Sequence, residues 1–467
     1  MLFSSIPFLY YFLPIVLGIY FLVPKKTKNS VLLVSSLFFY GYGEPKYIFV
    51  MLINIMVNYL LTLLIDKTKE KPKLSKTIFV LDLSFNIGMI GYFKYANFFI
   101  ENFVKITGFS VQFLNIALPI GISFYTFQIL SYVIDVYLGK VKVQKNPFTL
   151  GTYIVLFPQL IAGPIVRYSD IEKQLVNRTH NFDKFADGIR RFIYGLSKKI
   201  LLANVLGELC ITFQTTNEKS VLFYWLFAIA YTFQIYFDFS GYSDMAIGLG
   251  KMFGFDFCEN FNYPFISKSI SEFWRRWHIS LGTWFKEYVY IPMGGSKCKK
   301  SRLLLNILTV WLLTGFWHGA EWNFIIWGLY FSLFLLLEKY FLYKHLNKFK
   351  ILNHVYVLFF VLISFVIFNL TDFNSLGVYL SSMFGFSNIP FKNNFFLYQL
   401  NNYKGVLILS ILCSTPIFSK LKNKYLSGRI IENIYDIFEI LFLVLLLLTC
   451  TAYLVDGSFN PFLYFRF

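Results

Sequence analysis

Apolar residues in this chain come in long runs rather than in alternation with polar ones. Runs at 2–23, 31–42 and 47–65 are followed by others near 77–93, 118–138, 149–166, 221–238, 303–316, 323–342, 351–370, 404–419 and 431–455. Many approach the roughly 20 residues a helix needs to cross a roughly 30 Å hydrocarbon core. None shows the period-two pattern of a membrane strand. The pattern predicts an all-α polytopic membrane protein with roughly 10–12 transmembrane or partial helices. The first run lacks a basic leader and a small-residue cleavage site, so it reads as a retained span rather than a signal peptide.

Between the runs, Gly41-Tyr-Gly-Glu-Pro45 reads as a turn. The longest polar stretches, near 167–190 and 386–403, are too short for a separate soluble domain. A single membrane domain over 1–467 is therefore expected. Composition agrees: of 467 residues 57% are hydrophobic and only 15% are charged.

The net charge of +18 gathers in short clusters between the runs, not along one soluble face. This argues against nucleic acid as partner and for positively charged cytoplasmic loops in a bilayer. The clusters are Lys25-Lys-Thr-Lys28, Asp66-Lys-Thr-Lys-Glu-Lys-Pro-Lys73, Lys297-Cys-Lys-Lys-Ser-Arg302 and the runs at 344–350 and 420–429. Placing them all inside predicts a multi-pass protein of the cell membrane with both termini extracytoplasmic. The five cysteines have no paired spacing and make no case for a metal site or a disulfide framework.

Against this background two histidines stand out, in Glu272-Phe-Trp-Arg-Arg-Trp-His-Ile-Ser280 and Phe316-Trp-His-Gly-Ala-Glu-Trp322. Ionisable side chains at membrane depth are expensive and tend to be functional. The segment 303–317 rises only about 22 Å as helix, short of a full crossing. That leaves His318 within the membrane or near its outer boundary, with Gly315 and Gly319 allowing a break or a close approach. Glu321, one turn further on, is a candidate to orient it. From 271 to 290 the residues Trp274, Trp277, Leu281, Phe285 and Tyr288 recur at helical spacing, which predicts one amphipathic helix. Ser269 and Glu272 have capping-box spacing at its start, and His278 projects from its aromatic face.

An imidazole buried in apolar surroundings stays neutral near pH 7 and can accept a proton, as a general base must. Asp82, Lys94, Asp135, Asp238 and Asp244 are further polar residues in apolar context. Asp238 and Asp244 are six residues apart, so on one helix they point in different directions, as interhelical bonding groups would rather than a paired acid and base. These residues alone leave a membrane enzyme and a transporter both open.

Several motifs together resemble the membrane-bound O-acyltransferase superfamily. Trp274-Arg-Arg-Trp-His-Ile-Ser-Leu281 and Phe316-Trp-His-Gly319 are similar to its two histidine motifs. Tyr236-Phe-Asp-Phe-Ser-Gly-Tyr-Ser-Asp244, Asn260-Phe-Asn-Tyr-Pro-Phe265 and Tyr290-Ile-Pro-Met-Gly-Gly295 fit the same pattern. Leu2-Phe-Ser-Ser5, Leu118-Pro-Ile-Gly-Ile-Ser-Phe-Tyr125, Pro158-Gln-Leu-Ile-Ala-Gly-Pro164 and Phe462-Leu-Tyr-Phe-Arg-Phe467 resemble its bacterial branch that O-acetylates polysaccharides, of the alginate type.

The resemblance implies helices around a membrane-crossing funnel, with His318 the essential base and His278 a second catalytic-site residue. It implies acetyl-CoA as donor substrate, no bound cofactor or metal, and an extracytoplasmic acceptor protein of the SGNH-hydrolase type. The expected substrate-binding residues are Trp274, Trp277, Trp317, Glu321, Asp238 and Asp244, with Arg275, Arg276, Lys286 and the 297–302 cluster for CoA phosphates. Two rivals remain: transfer of D-alanine or another acyl group from an acyl carrier protein to teichoic acid, and a lipid or small-molecule transporter.

Overall fold

Helix is the only backbone form that satisfies its own polar groups in lipid without closing a barrel, and the apolar runs become largely helical. A computed structural model describes residues 1–342, 350–425, 429–457, 460, 461 and 463. The basic residues 343–349, residues 426–428 of the 420–429 run, and the terminal 462–467 motif apart from Leu463 lie outside the described residues. No strand occurs among the described residues. Among the described residues six helical stretches are long and apolar enough to cross a membrane: Tyr47–Lys67, Pro72–Thr107, Val221–Met252, Trp322–Leu342, Ile351–Asn369 and Tyr435–Val455. Phe8–Leu22 is apolar but shorter. The chain is a polytopic all-α membrane protein.

Two of the expected boundaries shift. The run near 221–238 continues to Met252 without a break. The run near 149–166 does not form one helix: Pro147–Val155 ends at Leu156, a short turn of helix follows at Phe157–Leu160, and the chain then runs irregularly. Pro158 helps to explain the interruption, since it lacks the N–H that a continuing helix would use.

The residues divide into two compact units, one of 1–192 and 245–258, the other of 193–244 and 259–467. In the first, helices Tyr47–Lys67 and Pro72–Ile90 share a buried polar seam. Asn58 donates to Asn86 Oδ1 at 3.3 Å and Asn86 donates back to Asn58 Oδ1 at 2.7 Å and to Asp82 Oδ1 at 2.8 Å. The interhelical bonds are those between Asn58 and Asn86, and Asp82 supports Asn86 from one turn earlier on the same helix. Every residue singled out at the candidate site falls in the second unit, whose core is strongly aromatic.

Candidate active site

The expected amphipathic helix over 271–290 is not continuous. Ser269 caps its first part, accepting from the Glu272 N–H at 3.0 Å, and the helix Ile270–Arg276 ends there. Trp277 is extended, and His278 adopts a left-handed conformation at φ 45°, ψ 52°. A second short helix, Ile279–Phe285, begins immediately after and widens into a π turn at Lys286–Tyr290. The break lets Trp277 and His278, adjacent in sequence, both enter the interior, with exposures of 3% and 1%. A straight helix would instead set these neighbours about 100° apart.

The break is held from outside the segment. Asn260 C=O accepts the Ile279 N–H at 3.0 Å, and Asn262 N–H donates to Arg276 C=O at 2.9 Å. Asn260 Oδ1 accepts from Ser280 N–H at 3.3 Å and Ser280 Oγ at 2.9 Å, and lies 3.1 Å from His278 Nδ1. Strained backbone of this kind persists only where surrounding structure over-determines it, and it gathers at functional sites. Burial pushes the His278 imidazole down to about 3, so it is neutral at physiological pH.

His318 is the last residue of the helix Lys300–His318 and is buried. Gly319 is extended, and a Cβ there would collide with the Phe324 ring, so the turn into the helix Trp322–Leu337 closes tightly over that ring. Three rings surround the His318 imidazole edge to face: Trp317 at 5.1 Å, Trp327 at 5.1 Å and Phe368 at 5.3 Å between centroids. The Trp317 indole also lies 5.8 Å from the His278 ring. One tryptophan therefore stands beside both imidazoles, and Phe239 covers His278 from another side at 4.7 Å.

The other expected site residues divide between wall and frame. Trp274 packs on Trp311, Trp327 and Phe331 at 4.7, 5.4 and 4.8 Å. Trp277 stacks with Phe273 at 5.5 Å and meets Phe365 at 5.2 Å. Arg276 is bound to the Glu272 carboxylate at 2.9 Å and to the Asn262 carbonyl at 3.1 Å, while Arg275 and Lys286 are exposed. Glu321 does not continue the helix of His318. The chain turns at Gly319, and Glu321 is exposed at the start of the next helix, so it is not one helical turn from the histidine. Asp238 is fully buried and paired with Lys199 at 2.5 Å, and its other oxygen accepts the Leu463 N–H at 2.9 Å. Asp244 pairs with Lys198 at 2.7 Å. The two carboxylates thus hold adjacent lysines of another helical segment.

Sequence reasoning missed two supporting residues. Asn260 was visible only as part of a motif. Glu338 is buried and accepts from the N–H groups of Ile270 and Ser271 at 2.5 and 2.9 Å and from Ser271 Oγ at 2.7 Å. A carboxylate is favoured at a helix N-terminus because the free N–H groups and the helix dipole both attract it. Glu338 thereby fixes the start of the helix that leads to His278. Among the described residues no group of three or more His, Cys, Asp or Glu side chains gathers as metal ligands.

What gathers is a pair of buried imidazoles in an aromatic enclosure that keeps water away, an arrangement suited to moving protons rather than to holding ions. Residues 140–382 match the family model of the membrane-bound O-acyltransferases. A probable alginate O-acetylase of Pseudomonas putida is 36% identical over the whole of both chains. One from Azotobacter vinelandii is 40% identical over 83% of this chain and 79% of its own. A peptidoglycan O-acetyltransferase of Helicobacter pylori is 32% identical over all of this chain and 98% of its own.

Proposed function

Because the chain belongs to the membrane-bound O-acyltransferase family, and is therefore a multi-pass O-acyltransferase, we propose that it takes an acetyl group from a cytosolic thioester, acetyl-CoA, and delivers it for O-acetylation of an extracytoplasmic polysaccharide. His318 acts as general base. It takes the proton of an acceptor hydroxyl as that oxygen attacks the thioester carbonyl. The C–O bond forms, the C–S bond breaks, and the thiolate leaves with the proton that His318 returns to it. The acceptor hydroxyl belongs to an extracytoplasmic protein of the SGNH-hydrolase type, which completes transfer to the sugar. Both chain termini lie on that outer side.

The observation that supports this reading is the seat of His318: a buried imidazole at a helix end, ringed by Trp317, Trp327 and Phe368. Such an enclosure excludes water that would hydrolyse the thioester. The names of the full-length relatives, an alginate O-acetylase and a peptidoglycan O-acetyltransferase, favour acetyl as the group and a polysaccharide as its destination.

The test is acetyl-CoA turnover by purified protein in nanodiscs with a small hydroxyl acceptor, beside His318→Ala folded to the same degree. General-base assistance is worth about 10²–10⁴ in rate, and a loss of that size in the variant alone is expected. Equal turnover by both proteins would remove His318 from the mechanism. Consumption of an acyl carrier-protein thioester instead of acetyl-CoA would replace the donor.

A further inference from the structure

The hydrogen bonds around Asn260 decide which nitrogen of His278 carries the proton. Asn and His orientations are settled by their partners, and here one partner is unambiguous. The Ser280 backbone N–H can only donate, and it points at Asn260 Oδ1 at 3.3 Å. Turning the amide over would set an NH₂ group against that N–H. The atom facing His278 is therefore an oxygen, and it has no proton to give.

At 3.1 Å from that oxygen, His278 Nδ1 is the donor. A neutral imidazole carries one N–H, so Nε2 holds a bare lone pair. His278 is 1% exposed, and Nε2 meets no hydrogen-bond partner among the described residues. An unsatisfied buried acceptor is costly, and native structures keep few of them. The left-handed backbone at His278 is a second strain at the same residue.

We infer that Asn260 is a positioning residue: it holds His278 in the Nδ1–H tautomer so that Nε2 presents its lone pair to a hydroxyl donor on the substrate side. The inference rests on the acyl-transfer reading for the identity of the molecule that carries this donor, the acceptor, but not for the tautomer itself. Nε2 accepts from a second polar hydrogen of the acceptor and so orients it, while the single proton of the attacking hydroxyl goes to His318. Asn260 also holds the backbone break through Ile279 and Ser280, and its effect on the tautomer is exerted through His278.

Two measurements on the full-length protein in nanodiscs test this separately. The first is ¹⁵N NMR of histidine-labelled protein, with the His278 signals identified by their loss in His278→Asn. Wild type is expected to show a protonated Nδ1 and a bare Nε2, and Asn260→Ala to lose that preference. A protonated Nε2 in wild type would overturn the inference whatever the enzyme's activity.

The second is the pH profile of thioester turnover. Asn260→Asp keeps the accepting oxygen and adds a charge that favours imidazolium. It is expected to retain turnover within about tenfold while the acidic limb moves up by at least one pH unit. Asn260→Ala is expected to lose at least a hundredfold in kcat with little change in the KM for acetyl-CoA. Unmoved pH limbs in Asn260→Asp together with full turnover in a folded Asn260→Ala would sink the proposal. Failure of the acyl-transfer reading would instead appear as no turnover by wild type with any thioester, leaving the NMR result standing.

Discussion

Gly315 and Gly328 lie back to back across the helices Lys300–His318 and Trp322–Leu337: a Cβ added to either would come within 3.5 Å of the other's Cα. The same Cβ would overlap the carbonyl oxygen of Phe324 from position 315, or of Trp311 from position 328. The two backbones touch because no side chain separates them. His318 is three residues beyond Gly315, and Trp327, one of its three ring partners, precedes Gly328. Gly315→Ala or Gly328→Ala must push the helices apart at that point. Overpacking of this kind costs about 1–3 kcal/mol. The expected result is a lower melting temperature and a fall in turnover that exceeds the loss of folded protein. Normal activity in a well-folded Gly328→Ala would show that His318 does not depend on this contact.

Glu338 begins the helix that ends one residue before Trp277, although 60 residues separate it from His278 in the chain. Glu338→Ala strands the N–H groups of Ile270 and Ser271, each a buried donor worth about 1–3 kcal/mol when unsatisfied. Thermal unfolding should detect the loss. Glu338→Gln leaves an acceptor oxygen in place and should recover part of it. Wild-type stability in Glu338→Ala would mean that the carboxylate is not a cap.

Asp238 and Lys199 form an ion pair that is 1% and 3% exposed at its two side chains. Removing one partner of such a pair costs about 3–5 kcal/mol because the other is left charged and buried, whereas replacing both with apolar residues is often near neutral. Asp238→Leu and Lys199→Met should each destabilise strongly, and the double variant should regain most of the loss in a thermal melt. A double variant no more stable than the worse single would assign Asp238 a role beyond the pair. The C-terminal residues Pro461 and Leu463 are tied to the same two side chains, so susceptibility of the C-terminal segment to protease should rise in both single variants.

His180 gives a pH dependence of defined sign. Burial, then the nearby Lys28 and Arg178, hold its imidazole down to about 4, against an ordinary value near 6.5. Its Nε2 lies 2.9 Å from the Tyr20 hydroxyl. The unfolded chain takes up a proton at this residue before the folded one does. Its contribution to stability is therefore full above about pH 6.5 and is lost as pH falls toward 4. Melting temperature should rise with pH across that window. His180→Gln should flatten the slope by up to one proton, and an unchanged slope would assign the titration to other groups.

Much of the helical layout could be read from composition and period. The run at 47–65 appears as Tyr47–Lys67 and the run at 323–342 as Trp322–Leu342, because an uninterrupted apolar stretch has no satisfactory alternative in lipid. The burial of His278 and His318 followed from their aromatic neighbours. The geometry between them did not. Spacing over 271–290 fits a continuous helix well, and nothing local announces the break at Trp277 and His278. The break is imposed by Asn260, 18 residues away, and the helix that leads to it is started by Glu338, 68 residues beyond Ile270. Long-range hydrogen bonds leave no periodic trace. Glu321 illustrates the converse error: a helical projection past Gly319 placed it beside His318, but a glycine in extended conformation ended the projection.

The left-handed backbone at position 278 also limits what evolution can do there. A β-branched or bulky apolar residue at φ 45° is strained before any chemistry is considered, while Asn, Asp, His and Gly tolerate the region. The set of residues compatible with the chain's path is thus almost the set that can offer a polar atom to the site. Drift through hydrophobic intermediates, the common route by which buried positions change, is made costly. Replacements at this position should come from a short polar alphabet, with Asn the least disruptive first step.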